Sequence, residues 1–159
     1  MEWKGVMPAI TTKFTRDDKL DLELFNKNLG FQLKSNIDAI VLAGSLGEAS
    51  TLTQNEKNIL TENTVEFVNN KIPVVVNIAE QSTKEALNSI RSAEKSGASG
   101  LMVLPPMRYK SGRKETISYF ESIANSTDLP IMIYNNPVDY GIEVTIDMFD
   151  ELLKYENIK

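Results

Sequence analysis

The sequence of 159 residues contains no cysteine and no histidine. Without cysteine there can be no disulfide, no thiolate metal site and no cysteine nucleophile. Without histidine the usual general base and the commonest metal ligand are both missing. Acid–base chemistry must then rest on Tyr, Lys, Asp or Glu. A basic cluster is lacking too. Lys+Arg number 17 against 22 Asp+Glu, a net charge of -5, which makes nucleic acid a poor partner because binding it requires phosphate neutralisation. No apolar run approaches the length of a membrane span, so no membrane association is expected. The start, Met1-Glu2-Trp3-Lys4-Gly5, lacks the apolar core of a signal peptide. A cytoplasmic location is the expectation.

What the sequence does contain is a globular balance, 42% hydrophobic and 25% charged, in a length that suits one domain with a real core. Short apolar runs recur: Val6-Met7-Pro8-Ala9-Ile10, Ala39-Ile40-Val41-Leu42, Val74-Val75-Val76, Leu101-Met102-Val103-Leu104 and Ile131-Met132-Ile133. Each is too short for a helix and reads as a strand buried on both faces, the habit of parallel sheets. Helix signals lie between them. Thr53-Gln54-Asn55-Glu56 and Ser82-Thr83-Lys84-Glu85 have the pattern of capping boxes. Leu22, Phe25 and Leu29 form one apolar stripe; Ala86, Ile90 and Ala93 form a second, closed by Gly97; Ile117, Phe120 and Ala124 form a third. Phe149, Leu152 and Leu153 mark a last helix, with Thr145 as its N-cap. Strand and helix alternate five times, which implies an α/β domain over residues 1–159. An open doubly wound sheet and part of an eight-stranded barrel both fit, and both gather chemistry at the carboxyl ends of the strands.

The residues at those ends are distinctive. The second strand runs into Ala43-Gly44-Ser45-Leu46-Gly47-Glu48, where two glycines, a hydroxyl and exposed amides suit either a nest for a carboxylate or phosphate or an ordinary turn into a helix. It lacks the third glycine of a dinucleotide fingerprint. Glu48 is either a base or an organiser of local amides. The fifth strand ends in Tyr134-Asn135-Asn136-Pro137-Val138-Asp139-Tyr140-Gly141. The Tyr134 phenol either carries protons in the mouth of the fold or closes the core. Arg108 and Tyr109, after Pro105-Pro106, face a substrate or cover a loop, and Thr11-Thr12 line the pocket or cap the sheet.

Three segments, Gly5 to Phe14, Gly44 to Glu48, and Tyr134 to Pro137 with Gly141, together resemble the N-terminal half of the dihydrodipicolinate synthase / N-acetylneuraminate lyase family. The resemblance implies part of a (β/α)8 TIM barrel, with about five of the units of a fold that takes about 250 residues. It implies a lyase of aldolase, dehydratase or synthase type, in which a lysine on the sixth strand forms a Schiff base with pyruvate or another 2-oxo acid. It implies that no metal or external cofactor is required, in keeping with the missing His and Cys, assigns Tyr134 to proton transfer and has the loop of Ser45 and Leu46 hold the 2-oxo-acid carboxylate; Gly47 and Thr12 complete the expected substrate-binding set. Family members are often homo-oligomers, expected here at full length. The family lysine follows an Asn-Ile pair matched by Asn157-Ile158, so it is expected beyond residue 159, leaving these residues inactive alone and dependent on association for stability. Lys159 itself, at the foot of that strand, is not the expected nucleophile.

There are departures from the family pattern. The synthases usually carry a tyrosine where Arg108 stands, an arginine that grips the aldehyde substrate's carboxylate where Asp139 stands, a second hydroxyl at Leu46 and a proline at Lys13. An aspartate at that arginine position repels such a carboxylate. The likeness leans instead towards members acting on 2-keto-3-deoxy sugar acids or deaminating a hydroxylated pyrroline carboxylate. The synthase activity itself and a non-catalytic binding or assembly module are the alternatives.

Overall fold

A computed structural model describes residues 1–106 and 110–159; the candidates Arg108 and Tyr109 lie outside the described residues. Four strands, β1 (Ile40–Leu42), β2 (Val74–Ile78), β3 (Gly100–Val103) and β4 (Ile131–Ile133), form one sheet in the order β1-β2-β3-β4. Every neighbouring pair is parallel, with Ile40 opposite Val74, Val75 opposite Gly100 and Leu101 opposite Ile131. Helices α1 (Leu22–Lys34), α2 (Gln54–Val68), α3 (Thr83–Lys95), α4 (Arg113–Ala124), α5 (Pro137–Tyr140) and α6 (Ile146–Leu152) fill the connections.

This register puts all strands in phase. Ile40, Leu42, Val74, Val76, Leu101, Val103 and Ile131 share the face that packs on the helices and are buried there. Their helical partners are the stripes read from the sequence: Phe25 and Leu29 on α1, Ala86, Ile90 and Ala93 on α3, and Ile117, Phe120 and Ala124 on α4. The opposite face carries Val41, Val75, Asn77, Met102 and Met132 by the same alternation, and Trp3 and Met7 pack against its lower part.

The first apolar run makes a single bridge, between Ala9 and Val41. Val41 donates to the Pro8 carbonyl at 3.0 Å and Ile10 donates to the Val41 carbonyl at 3.0 Å. Pro8 has no N–H of its own to give the ladder, which holds the segment to this one bridge. At the other edge Ile158 bridges Ile131 in parallel, through Ile131 N–H to the Asn157 carbonyl (2.7 Å) and Lys159 N–H to the Ile131 carbonyl (3.1 Å). Asn157-Ile158-Lys159 therefore pairs at the foot of β4.

The caps divide. Thr53 and Glu56 form the full reciprocal box of α2, and Gly97 takes φ +87° after α3. At α3 the Ser82 hydroxyl accepts from Glu85 N–H at 3.2 Å, but the Glu85 carboxylate accepts from that hydroxyl and leaves the Ser82 N–H alone. Thr145 stands at the N-cap of α6 without capping through its side chain. Its hydroxyl donates to Asp147, and this, followed by Arg113, holds the Asp147 carboxyl below its ordinary range. Leu153 is exposed, and Met148 takes the core place beside Leu152.

Gly5 has φ +88°, and a Cβ built there collides with the Asp38 carboxylate. That carboxylate accepts from Val6 N–H at 2.7 Å, which fixes the first segment beside β1. Gly5→Ala is expected to lower stability by roughly 1–3 kcal/mol, read as a shift of the urea midpoint at constant slope; an unmoved midpoint contradicts this account of the segment.

Candidate active site

Because the strands are parallel and in phase, the loops after β1, β2, β3 and β4 converge at one end of the sheet. The loop after β1 begins at Ala43, in the left-handed region at φ +52°, and closes as a 3₁₀ turn over Ser45–Gly47. Gly47 donates to the Gly44 carbonyl at 2.9 Å and Glu48 to the Ser45 carbonyl at 3.1 Å. The N–H groups of Ser45 and Leu46 make no hydrogen bond among the described residues. Thr12 is buried below this turn, and its hydroxyl donates to the Gly47 carbonyl at 2.6 Å. A Cβ on Gly47 would stand 3.0 Å from the Ile10 carbonyl, so the turn sits against the first segment as closely as glycine allows. Thr12 thus holds the loop from beneath. Glu48 adopts a left-handed conformation at φ 58°, and its exposed side chain makes no hydrogen bond among the described residues.

The loop after β4 is built by its asparagines. Asn135 donates to the Val144 carbonyl at 2.9 Å and accepts from Val144 N–H at 3.0 Å, pairing the two ends of the loop as a strand partner would. Asn136 caps α5 by accepting from Asp139 N–H at 3.2 Å, Pro137 supplies the first helical residue, and Gly141 ends the turn at φ +67°. This single helical turn carries Tyr140 back over the sheet. The Tyr140 and Ser45 hydroxyls share a hydrogen bond at 3.2 Å, and the Tyr140 ring meets Tyr134 edge to face at 6.3 Å between centroids.

The result is a cavity of about 370 Å³ at the strand ends. Its floor is apolar, formed by Met7, Ala9, Val41, Met102 and Met132, and broken by Asn77. Its mouth is formed by Gly44, Ser45, Leu46, Tyr134 and Tyr140. Ser45, Leu46 and Tyr134 therefore meet in one place, with Tyr134 39% exposed and Leu46 72% exposed, whereas Thr12 and Gly47 shape the loop from outside the lining. Among the described lining residues only Ser45, Tyr134 and Tyr140 carry an exchangeable hydroxyl proton, and none is charged. Asp139 is exposed outside the cavity, its carboxylate accepting from the Asn136 side chain at 2.6 Å.

A neighbouring cavity of about 350 Å³ shares Ser45, Asn77, Leu104 and Tyr140 and adds Lys57 and Glu80. The Lys57 ammonium and Glu80 carboxylate pair at 3.1 Å, largely buried, and Ser89 also donates to Glu80 at 2.8 Å. The Tyr119 phenol is pushed well above its ordinary value, first by burial and then by the charge of Glu80. A larger surface groove lies away from the strand ends, between Phe31 and Phe67. No helix among the described residues is long and apolar enough to cross a membrane.

With this geometry in hand, the likeness to known proteins is specific. The model of the dihydrodipicolinate synthetase family matches residues 2–159. The chain belongs to this family. A 4-hydroxy-tetrahydrodipicolinate synthase of Methanococcoides burtonii is 35% identical over 156 residues, 98% of this chain and 53% of the relative. One from Alkaliphilus oremlandii is 36% identical over 156 residues, again 98% and 53%. Among solved structures, the 4-hydroxy-tetrahydrodipicolinate synthase of Methylacidiphilum fumariolicum superposes with a TM-score of 0.95 at 30% identity, over 99% of this chain and 54% of that one. YagE, a family member from Escherichia coli determined in complex with pyruvate, gives 0.93 at 28% identity, over 99% and 54%. The chain thus corresponds to the N-terminal part of the family's TIM barrel and spans about half the length of the curated relatives it matches. Family and relatives are lyase or synthase enzymes, and an unrelated open sheet is excluded.

Like Asn77, Tyr140 is a lining residue that sequence reasoning did not single out. Its signal was present in Asn136-Pro137, an N-cap followed by a first-turn proline, with glycine closing at Gly141. Together these mark one helical turn that brings residue 140 back towards the strand end. Asn135→Ala is expected to cost about 1–2 kcal/mol and to raise hydrogen exchange at the Val144 N–H; unchanged protection there would contradict the clip.

Proposed function

We propose that residues 1–159 carry the 2-oxo-acid pocket of a Schiff-base lyase. The observation that supports this most is the group of three hydroxyls, Ser45, Tyr134 and Tyr140, around a cavity at the strand ends whose floor is apolar except for Asn77. In a sequence without histidine or cysteine, phenols are well placed to move protons there. The Ser45 hydroxyl and the unengaged Ser45 and Leu46 amides receive the substrate carboxylate, with Gly47 and Thr12 holding the turn. Tyr134 exchanges protons with the substrate and with the condensing amine. Tyr140 supplies a second phenol from within the same chain, bonded to Ser45.

The amine is a lysine on the strand that starts at Asn157-Ile158. The foot of that strand already pairs with β4, which puts Lys159 at the end of the sheet away from the cavity. That pairing supports a reacting lysine farther along the strand than Lys159, and on this reading residues 1–159 alone are inactive. Condensation yields an iminium that withdraws electrons from the adjacent carbon and needs no external cofactor. The substrate is pyruvate or another 2-oxo acid, and the full-length protein is a cytoplasmic homo-oligomer.

The second substrate is a separate matter. The first relatives carry the synthase name, and that activity is the alternative. Among the described residues the lining holds no cation to grip an aldehyde's carboxylate, and Asp139, standing where the synthases carry an arginine, favours substrates whose distal part is neutral and hydroxylated, such as 2-keto-3-deoxy sugar acids, or a hydroxylated pyrroline carboxylate. Borohydride reduction in the presence of pyruvate is expected to leave a covalent adduct on the full-length protein and none on residues 1–159, read by mass spectrometry. An adduct on Lys159 would contradict the placement of the amine.

A further inference from the structure

Asn77 is out of place chemically. It lies on β2 with the alternation that directs Met102 and Met132 towards the cavity, and it is 4% exposed in a floor that is otherwise Met7, Ala9, Val41 and the two methionines. Its amide is oriented without ambiguity, because the Nδ2 group donates to the Ala43 carbonyl at 2.8 Å and only the nitrogen can donate. That bond holds the left-handed residue from which the Ser45 loop departs. The other branch of the amide, Oδ1, is buried and has no hydrogen-bond partner among the described residues. A buried acceptor left without a donor is costly, whereas an apolar residue of similar size would leave no such acceptor beside the methionines. The residue borders both cavities at the strand ends.

We propose that Asn77 is a specificity-determining residue, whose side-chain carbonyl accepts a hydrogen bond from a hydroxyl on the distal part of the bound substrate. This rests on the 2-oxo-acid reading above and extends it to a substrate class: 2-oxo acids bearing a neutral hydroxyl beyond the ketone. The acceptor cannot serve a carboxylate, which has no proton to give, and the described lining residues offer no cation in its place. Sites that provide a fixed polar partner for a substrate hydroxyl discriminate strongly against the analogue that lacks it, because the partner is then left unsatisfied.

The test compares 2-oxobutanoate with 4-hydroxy-2-oxobutanoate, a pair that differs by one hydroxyl, on the full-length protein and its Asn77→Ala and Asn77→Leu variants. The half-saturating concentration of each acid for borohydride-trapped adduct is the readout. The wild type is expected to favour the hydroxylated acid by about tenfold or more, and both variants are expected to lose that ratio. Damage to the Ser45 loop, through loss of the bond to Ala43, weakens both acids alike and leaves the ratio standing, so an unchanged ratio in the variants overturns the proposal. A wild type without preference overturns it as well. If the wild type traps neither acid, the 2-oxo-acid reading falls and the role of Asn77 falls with it; if it traps both and the ratio survives substitution, only the role of Asn77 falls.

Discussion

The in-phase register of four parallel strands is the constraint on which the rest of this structure depends. In such a ladder every strand runs the same way, so every exit loop opens at one end. Residues opposite one another also share a face. One face is therefore filled by Ile, Val and Leu against the helices, and the other presents Val41 opposite Val75 in one row and Asn77, Met102 and Met132 in the next. Shift one strand by a single residue and Asn77 exchanges faces with Val76 or Ile78, burying an amide among the helices. The apolar residues on both sides of each strand penalise that slip, so the sequence pattern that makes the core also aims the cavity.

Upon this frame, two loops of different construction meet. The loop after β1 is rigid through closeness: Gly47 against the Ile10 carbonyl, Thr12 bonded to Gly47, and Asn77 bonded to Ala43. The loop after β4 is rigid through its own polar side chains, with Asn135 standing in for a strand partner and Asn136 for a helix cap. Neither depends on an ion pair among the described residues, and the described cavity lining carries no fixed charge. The charged groups nearby, Lys57 and Glu80, neutralise each other in the adjoining cavity. The Ser45–Tyr140 contact joins the two loops across 95 residues of sequence.

Much of this was legible in the sequence because it is local or periodic. Continuous apolar runs gave the strands, and the stripes at Phe25, Ile90 and Phe120 gave the buried helix faces. Gly44 to Gly47 and Tyr134 stood at strand ends by position alone. The rest depends on contacts that no local pattern encodes. Thr12 reads as a pocket residue, but which way its hydroxyl faces is set by the Gly47 carbonyl 35 residues away. Tyr140 lies six residues past Tyr134 and reaches the cavity only because α5 is a single turn. Asn77 was hidden by its neighbours, since it continues the run Val74-Val75-Val76 and reads as the end of a core strand. Met148 rather than Leu153 shares the core stripe with Leu152, because the buried face of α6 runs through residues four apart.

The central claim is that the Ser45 hydroxyl and the Tyr140 phenol act as one unit on a bound 2-oxo acid. A double-mutant cycle tests it most directly, with pyruvate affinity measured by calorimetry on the full-length protein and its Ser45→Ala, Tyr140→Phe and doubly substituted forms. The account predicts that the two losses overlap, with a coupling of roughly 0.5–3 kcal/mol. Strictly additive losses, or an affinity untouched by either substitution, would contradict it.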